Sequence, residues 1–345
     1  MAQIISFFNH KGGVGKTTLA YNVAWGLAQE NKRVLMIDAD PQCNLTEISI
    51  LGFDDLDGQM SLFDVANETS KKNTDIYNYF KSYVEPEPGT SEPVINLYEK
   101  KENLKLLLGS IRLAELEETI SLSLAGIGGL RHVPESTHRA LRRLSEDFDY
   151  VIVDLSPALS AINQLFVMLS DYFIVPVNPS IFSRQALDNL YEIFRTWNRK
   201  LSSFDIFSRK GKALPQMLGI VCQNYRPYSR KDEANTKSAM RFEERLNELN
   251  KRAVKLSRDL SGFAMALTED EFRAVFAGSD PYRIANIPDY NQLGVVSETE
   301  KMPVNGFDDK ILNKHDLATP VYKEKVADFK VECQKIVDGL LNLAN

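Results

Sequence analysis

The apolar positions of this chain fall into two alternating patterns. Gln3 to Asn9 is a β-rich apolar run and predicts a buried strand. Thr17 to Gln29 places Leu19, Ala20, Val23, Ala24 and Leu27 at helical spacing. Arg33 to Asp38, Tyr150 to Asp154, Phe173 to Val177 and Met217 to Cys222 predict further strands, two of them ending on a carboxylate. Helical stretches separate them, over 158–170, 183–200 and 235–260. Strands alternating with helices predict a single α/β domain, with a doubly wound, mostly parallel sheet and helices on both faces. The strands are nearly continuous apolar runs, as expected for a sheet covered on both sides. Their carboxyl ends carry the polar residues, and ligands bind there in this architecture. Residues 46–137, which include the loop signal Glu85-Pro86-Glu87-Pro88-Gly89, are read as an elaboration inserted in the same domain.

The bulk composition changes this picture little. The chain has 345 residues, 43% hydrophobic and 26% charged, which is ordinary for a globular protein. No run reaches membrane-span length, and the N-terminus enters a strand directly, so the sequence predicts a cytoplasmic protein. Cys43, Cys222 and Cys333 lie far apart and carry no metal-ligand spacing. Charge is more informative. The net charge is −6, yet residues 195–258 hold 16 Lys/Arg against 6 Asp/Glu, a local net of +10. Residues 46–120 hold 15 acidic and 7 basic residues, a net of −8. A basic segment in an acidic protein predicts one polyanion-facing surface.

The strongest chemical signal is Lys11-Gly12-Gly13-Val14-Gly15-Lys16-Thr17-Thr18, set between a strand and a helix. Glycines let backbone N–H groups turn onto phosphate oxygens, and the helix N-terminus adds its positive end. Lys16 is expected to reach the β- and γ-phosphates of ATP, and Thr17 to offer its hydroxyl to Mg²⁺. Asp38 and Asp40 stand two apart on an extended chain, so both point the same way. Asp40 has a plainer reading, as a cap for a following helix. Val151-Ile152-Val153-Asp154 reads as a Walker B strand, with Asp154 as a Mg²⁺ residue.

With these residues the sequence resembles the ParA/MinD superfamily of deviant Walker A ATPases, and most of all ParA-type partition and cargo-positioning ATPases, McdA-like proteins among them. His10 stands where the common phosphate loop has glycine, and Lys11 matches the additional lysine of that family. The resemblance implies that Lys11 crosses an ATP-bridged homodimer to the partner's phosphates. It implies that Asp38 positions the attacking water and that Asp40 senses the γ-phosphate. It also implies adenine contacts near Asn224 and Pro288, and a ParB-like or McdB-like adaptor that stimulates hydrolysis on the nucleoid. The family usually has a small residue where Leu155 stands, a proline where Ser156 stands, and a small residue at Cys43. The resemblance covers 1–45, 100–230 and 280–345.

ParA proteins bind DNA without sequence preference through basic residues in about the region of the +10 segment. Arg226, Arg230, Lys231, Arg241, Arg245, Arg252 and Lys255 are the candidates here, because phosphate contact alone suffices for such binding. The plainer reading is a solvated helix face whose charges pair with Glu244 and Glu248. Residues 321–343 form a helix with mixed charges, which predicts packing on the core and no membrane anchor. The rival function is a metabolic P-loop enzyme resembling dethiobiotin synthetase or cobyrinate amidase, in which the basic segment is incidental.

Overall fold

The computed structural model describes residues 1–50, 74–87, 89, 93–207, 213–225, 236–289 and 292–343, with the side chains of Ile181 and of 236–241 outside that set. The described residues build one eight-stranded sheet. Its strands are β1 (Gln3–Phe7), β2 (Val34–Ala39), β3 (Tyr98–Lys101), β4 (Leu104–Leu107), β5 (Tyr150–Leu155), β6 (Tyr172–Val177), β7 (Gln216–Tyr225) and β8 (Arg283–Pro288). They run in the order β3-β4-β2-β5-β1-β6-β7-β8, and every neighbouring pair is parallel except β3 with β4. All six residues of β2 and all six of β5 are buried. Both faces of the central strands are therefore covered, as their unbroken apolar runs require.

The helices are α1 (Lys16–Gln29), α2 (Asn44–Ile50), α3 (Ile76–Val84), α4 (Leu113–Leu124), α5 (Val133–Leu144), α6 (Ala161–Leu169), α7 (Ile181–Leu201), α8 (Thr236–Ser261), α9 (Glu269–Val275), α10 (Gln292–Thr299), α11 (Asp309–Lys314) and α12 (Pro320–Leu343). The first helix follows β1 after the loop 8–15 and packs on β1, β2 and β5. The last packs on α1 and β8 through Val326, Phe329, Cys333, Ile336, Val337 and Leu340, all buried. Among the described residues no helix is long and apolar enough to cross a membrane.

Three strands were not anticipated by the apolar pattern. β4 is an inner member of the sheet, paired in parallel with β2 from Val34↔Leu104 to Ile37↔Leu107. Its four residues are flanked by Lys100, Lys101, Glu102 and Asn103, which shortens the apolar run below strand length. β3 is an edge strand with two lysines. Residues 283–288, Pro288 among them, form the edge strand β8. Within 74–144, α3, α4 and α5 join these strands in the one hydrophobic core. Residues 51–73, 88 and 90–92 of the acidic segment lie outside the described residues.

Candidate nucleotide site

The carboxyl ends of β1, β2 and β5 converge, and the register places Phe7 and Asp38 on either side of Asp154. The glycine-rich loop leaves β1 there and enters α1. Gly13 and Gly15 have φ of 66° and 74°, in the left-handed region that favours glycine. Gly15 is the N-cap of α1, and no side chain caps that helix. The first N–H groups of α1 thus face the loop's cavity, an arrangement suited to phosphate oxygens. Gly13, Val14, Gly15, Lys16, Thr17 and Thr18 line a cavity of about 340 Å³ with Asp40, Asn44, Leu155 and Pro157. Gly12 and Gly13 are exposed, whereas Val14 is buried.

Lys16 is buried, and its Nζ donates to the backbone oxygens of Asn9 at 3.1 Å and Lys11 at 3.4 Å. Burial lowers its pKa, and the charges of Asp154 and Asp40 oppose that shift. Asp38, Asp40 and Asp154 are 0%, 4% and 0% exposed. Burial pushes Asp154 up to about 8, with the Asp38 charge adding to the effect and Thr17 and Lys16 opposing it. Burial pushes Asp38 up to about 6, opposed by its hydrogen bonds from Thr46 and Asp40. Asp40 and Asp154 act on the one ammonium and Asp38 on Asp154, so the three buried acids are short of positive charge. Both oxygens of Asp154 are buried without a hydrogen-bond partner, beside Thr17. A hard divalent cation with oxygen ligands fits that donor set, with Thr17, Asp40 and Asp154 as the residues to hold it, directly or through water.

Asp40 also shapes the backbone locally. Its Oδ1 accepts from the Gln42 N–H at 2.9 Å and closes the turn after β2. It does not cap α2, which begins at Asn44. Lys11 Nζ donates to Ser180 Oγ at 2.8 Å and Ser183 Oγ at 3.3 Å at the start of α7. Asn224 and Pro288 lie at the carboxyl ends of β7 and β8, where Tyr225 pairs with Pro288. Neither lines the cavity at the phosphate loop. Its neighbour from β7 is Gln223, buried, whose side chain would meet a Cβ on Gly15 at 3.2 Å.

Arg226, Arg230, Lys231 and the Arg241 side chain lie outside the described residues. Leu246, Leu249, Ala253, Leu256 and Leu260 are buried, and α8 packs on α7. Arg245 is exposed. Arg252 pairs with Asp188 of α7 at 3.1 Å and with Glu248 at 2.8 Å, and Lys255 pairs with Asp259 at 2.5 Å.

Comparison with known proteins bears on this geometry. The model of an AAA domain family matches residues 2–205. The sporulation initiation inhibitor protein Soj of Bacillus subtilis is 29% identical over 207 residues, 59% of this chain and 69% of Soj. The chain belongs to the ParA/MinD superfamily of P-loop ATPases. An uncharacterized protein of Methanocaldococcus jannaschii is 32% identical over 231 residues, 64% of this chain and 80% of that protein. Two solved structures share the fold: apo McdA of Cyanothece (TM-score 0.57, 19% identity, 96% of this chain and 99% of that one) and pNOB8 ParA bound to nonspecific DNA (TM-score 0.55, 20% identity, 99% of each).

Within this ParA/MinD chain, several residues of the site have no motif signal of their own. Thr46, in the first turn of α2, donates to Asp38 Oδ2 through both its N–H, at 2.8 Å, and its hydroxyl, at 2.7 Å. The same hydroxyl accepts from the Gly109 N–H at 2.7 Å. Gly109 follows β4 and lies against Asp38, so a Cβ there would be 2.7 Å from Asp38 Oδ2. Extending the motif around Asp38 by two residues past Asn44 would have reached Thr46. Gly109 needs the strand that the apolar pattern missed. Asn163 fastens the loop after β5: its Nδ2 donates to the backbone oxygens of Ser156 at 2.8 Å and Ala158 at 2.7 Å. Cys43 adopts φ 56°, and burial, with the Asp38 and Asp40 charges adding to it, pushes its thiol up to about 12.

Proposed function

We propose that this chain is an ATP-driven positioning switch. It binds ATP with Mg²⁺ on the 11–18 loop, pairs with a second copy across the bound nucleotides and binds DNA without sequence preference in that state. An adaptor, ParB-like or McdB-like, stimulates hydrolysis, and the dimer separates from the nucleoid. The cargo is plasmid or chromosomal DNA, or a protein assembly such as carboxysomes. The observation that carries this reading is the pair of lysines on one loop, Lys16 buried beside Asp40 and Asp154, and Lys11 half-buried and bonded to Ser180 and Ser183 at the start of α7. In this reading Lys16 serves the bound phosphates, and Lys11 leaves Ser180 and Ser183 to reach those of a partner. Soj, McdA and pNOB8 ParA support it as relatives, the last in its complex with nonspecific DNA.

In this reading the N–H groups of Gly13 to Thr17 hold the β- and γ-phosphates, and Lys16 neutralises charge as it develops on the transferred phosphoryl group. Asp38, oriented by Thr46, positions the attacking water. When bound, the cation offsets charge on the phosphate oxygens. The exposed part of the basic segment meets DNA phosphates, and the affinity falls steeply with salt.

A gel shift with random-sequence DNA tests the switch. Binding is expected with ATP and Mg²⁺, and not with ADP or with EDTA added. Equal binding in all three conditions refutes it. Asp38→Ala is expected to keep nucleotide and dimer while losing turnover; normal phosphate release by that variant refutes the role of Asp38.

A further inference from the structure

We infer that Glu117 of α4 is a positioning residue for the ATP site, acting through the loop 156–160 that follows β5. The inference rests on the ATPase reading. Its starting point is the hydrogen bonding of the first turn of α6. A helix leaves its first N–H groups without intrahelical partners. Here Ser160, the N-cap, accepts from the Asn163 N–H at 3.1 Å. The other two N–H groups go to a residue 44 positions earlier in the chain. Ala161 N–H donates to Glu117 Oε1 at 2.6 Å, and Ile162 N–H donates to Oε2 at 3.0 Å. One carboxylate thus receives both donors, and it sits at the positive end of the helix.

This fixes more than a helix end. The loop 156–160 joins Asp154 and Leu155 to α6. Asn163 ties Ser156 and Ala158 to the first turn of that helix. Pro157, inside the loop, lies against the phosphate loop, where a Cβ on Gly12 would be 3.8 Å from it. Glu117 therefore sets where α6 begins, α6 sets the loop, and the loop abuts Gly12. Across a cleft of about 410 Å³, Glu117 also faces the turn formed by Asp40, Pro41 and Gln42. α4 stands between the two loops that leave β2 and β5, and Glu117 carries its hydrogen bonds to the end of the second. A plain structural cap would lower stability and leave the turnover of the folded protein unchanged. A positioning residue changes kcat without weakening nucleotide binding.

The test uses the full chain with Glu117→Gln, Glu117→Asp and, as a control, the exposed neighbour Glu118→Gln. Glutamine keeps the size but turns one acceptor into a donor that faces an N–H. Three measurements are made: steady-state ATP turnover, affinity for a fluorescent ATP analogue, and hydrogen–deuterium exchange of the segment 156–165 without nucleotide. Glu117→Gln is expected to lower kcat about tenfold, since small displacements of reacting groups carry losses of that order or more. Its nucleotide affinity and KM stay within about twofold, the pattern of a lost transition-state interaction. Exchange at 161 and 162 rises, Glu117→Asp recovers part of the turnover, and Glu118→Gln matches the wild type. Wild-type exchange in Glu117→Gln overturns the contact. Raised exchange with wild-type kcat, or kcat and affinity falling together in both Glu117 variants, overturns the positioning role. Absence of turnover in the wild-type chain overturns the ATPase reading and the catalytic half of the inference, and the exchange data still judge the contact.

Discussion

At the phosphate loop the charged side chains are buried and held by neighbours; along α8 they stand in water and hold one another. Lys16 is 7% exposed and bonded to two backbone oxygens, and Asp38 is wholly buried under Thr46. Arg252 and Lys255 instead spend their charge on Asp188, Glu248 and Asp259 at the surface. Burial makes each charge of the first region indispensable, because an unpaired buried charge has no water to turn to. Exposure makes each charge of the second region replaceable, and its effect depends on how many act together. Substitutions in the two regions should therefore differ by orders of magnitude in effect, and the difference can be measured.

The largest effect is expected from Lys16→Ala. It removes the buried ammonium that lies near Asp40 and Asp154 and lines the phosphate cavity. Loss of a single preorganised donor of this type lowers turnover by about 100-fold or more. Phosphate release and nucleotide affinity should both fail. Lys11→Ala on the same loop should keep nucleotide affinity, because its ammonium rests on Ser180 and Ser183 outside the cavity. If the two variants lose affinity equally, the division of labour on this loop is wrong.

Next comes the seat of Asp38. Thr46→Ala removes a hydroxyl that serves both Asp38 and the Gly109 N–H. Leaving such buried partners short of a hydrogen bond costs about 1–3 kcal/mol. A melting temperature lower by several degrees is expected, with turnover reduced and ATP affinity kept. Gly109→Ala should be worse for turnover, since its new Cβ would lie 2.7 Å from Asp38 Oδ2 and 3.0 Å from Cys43 Sγ. A Gly109→Ala protein with wild-type phosphate release would show that Asp38 tolerates displacement and does not position the water.

How much was legible in the sequence follows the same division. The phosphate loop could be read because its chemistry is contiguous: Gly13 and Gly15 take the left-handed turns, and Lys16 and Thr17 follow in order. Asp38 and Asp154 could be read because each ends an apolar strand. Their neighbours could not, because Thr46, Gly109, Gln223 and Glu117 arrive through tertiary contact from other elements. β4 was hidden by the charges around its four residues, and β8 by Arg283 and Asn286 within it. The basic segment was visible as a sum of charges, but pairing is a property of the fold. Arg252 and Lys255 looked like Arg245 in the sequence and differ from it in the structure.

That difference yields the smallest and most discriminating expectation. Arg245 is exposed on α8, whereas Arg252 is tied to two carboxylates and Lys255 to one. A phosphate contact contributes about one unit of salt slope and acts uniformly across sequences. Arg245→Ala should therefore weaken ATP-dependent DNA binding severalfold and lower the slope of log affinity against log salt by about 1. Lys255→Ala should change affinity by less than about twofold, because the adjacent Asp259 carboxylate offsets the Lys255 charge toward DNA phosphates. Arg252→Ala should act on the α7–α8 contact first, through the lost bond to Asp188, and so appear as a lower melting temperature before any loss of DNA. Titrations at three salt concentrations separate these outcomes. If all three variants reduce the salt slope alike, the pairs open on DNA and the whole α8 face is the interface. If none does, DNA binds elsewhere on the chain, and the charges of α8 serve only to hold the helix on α7.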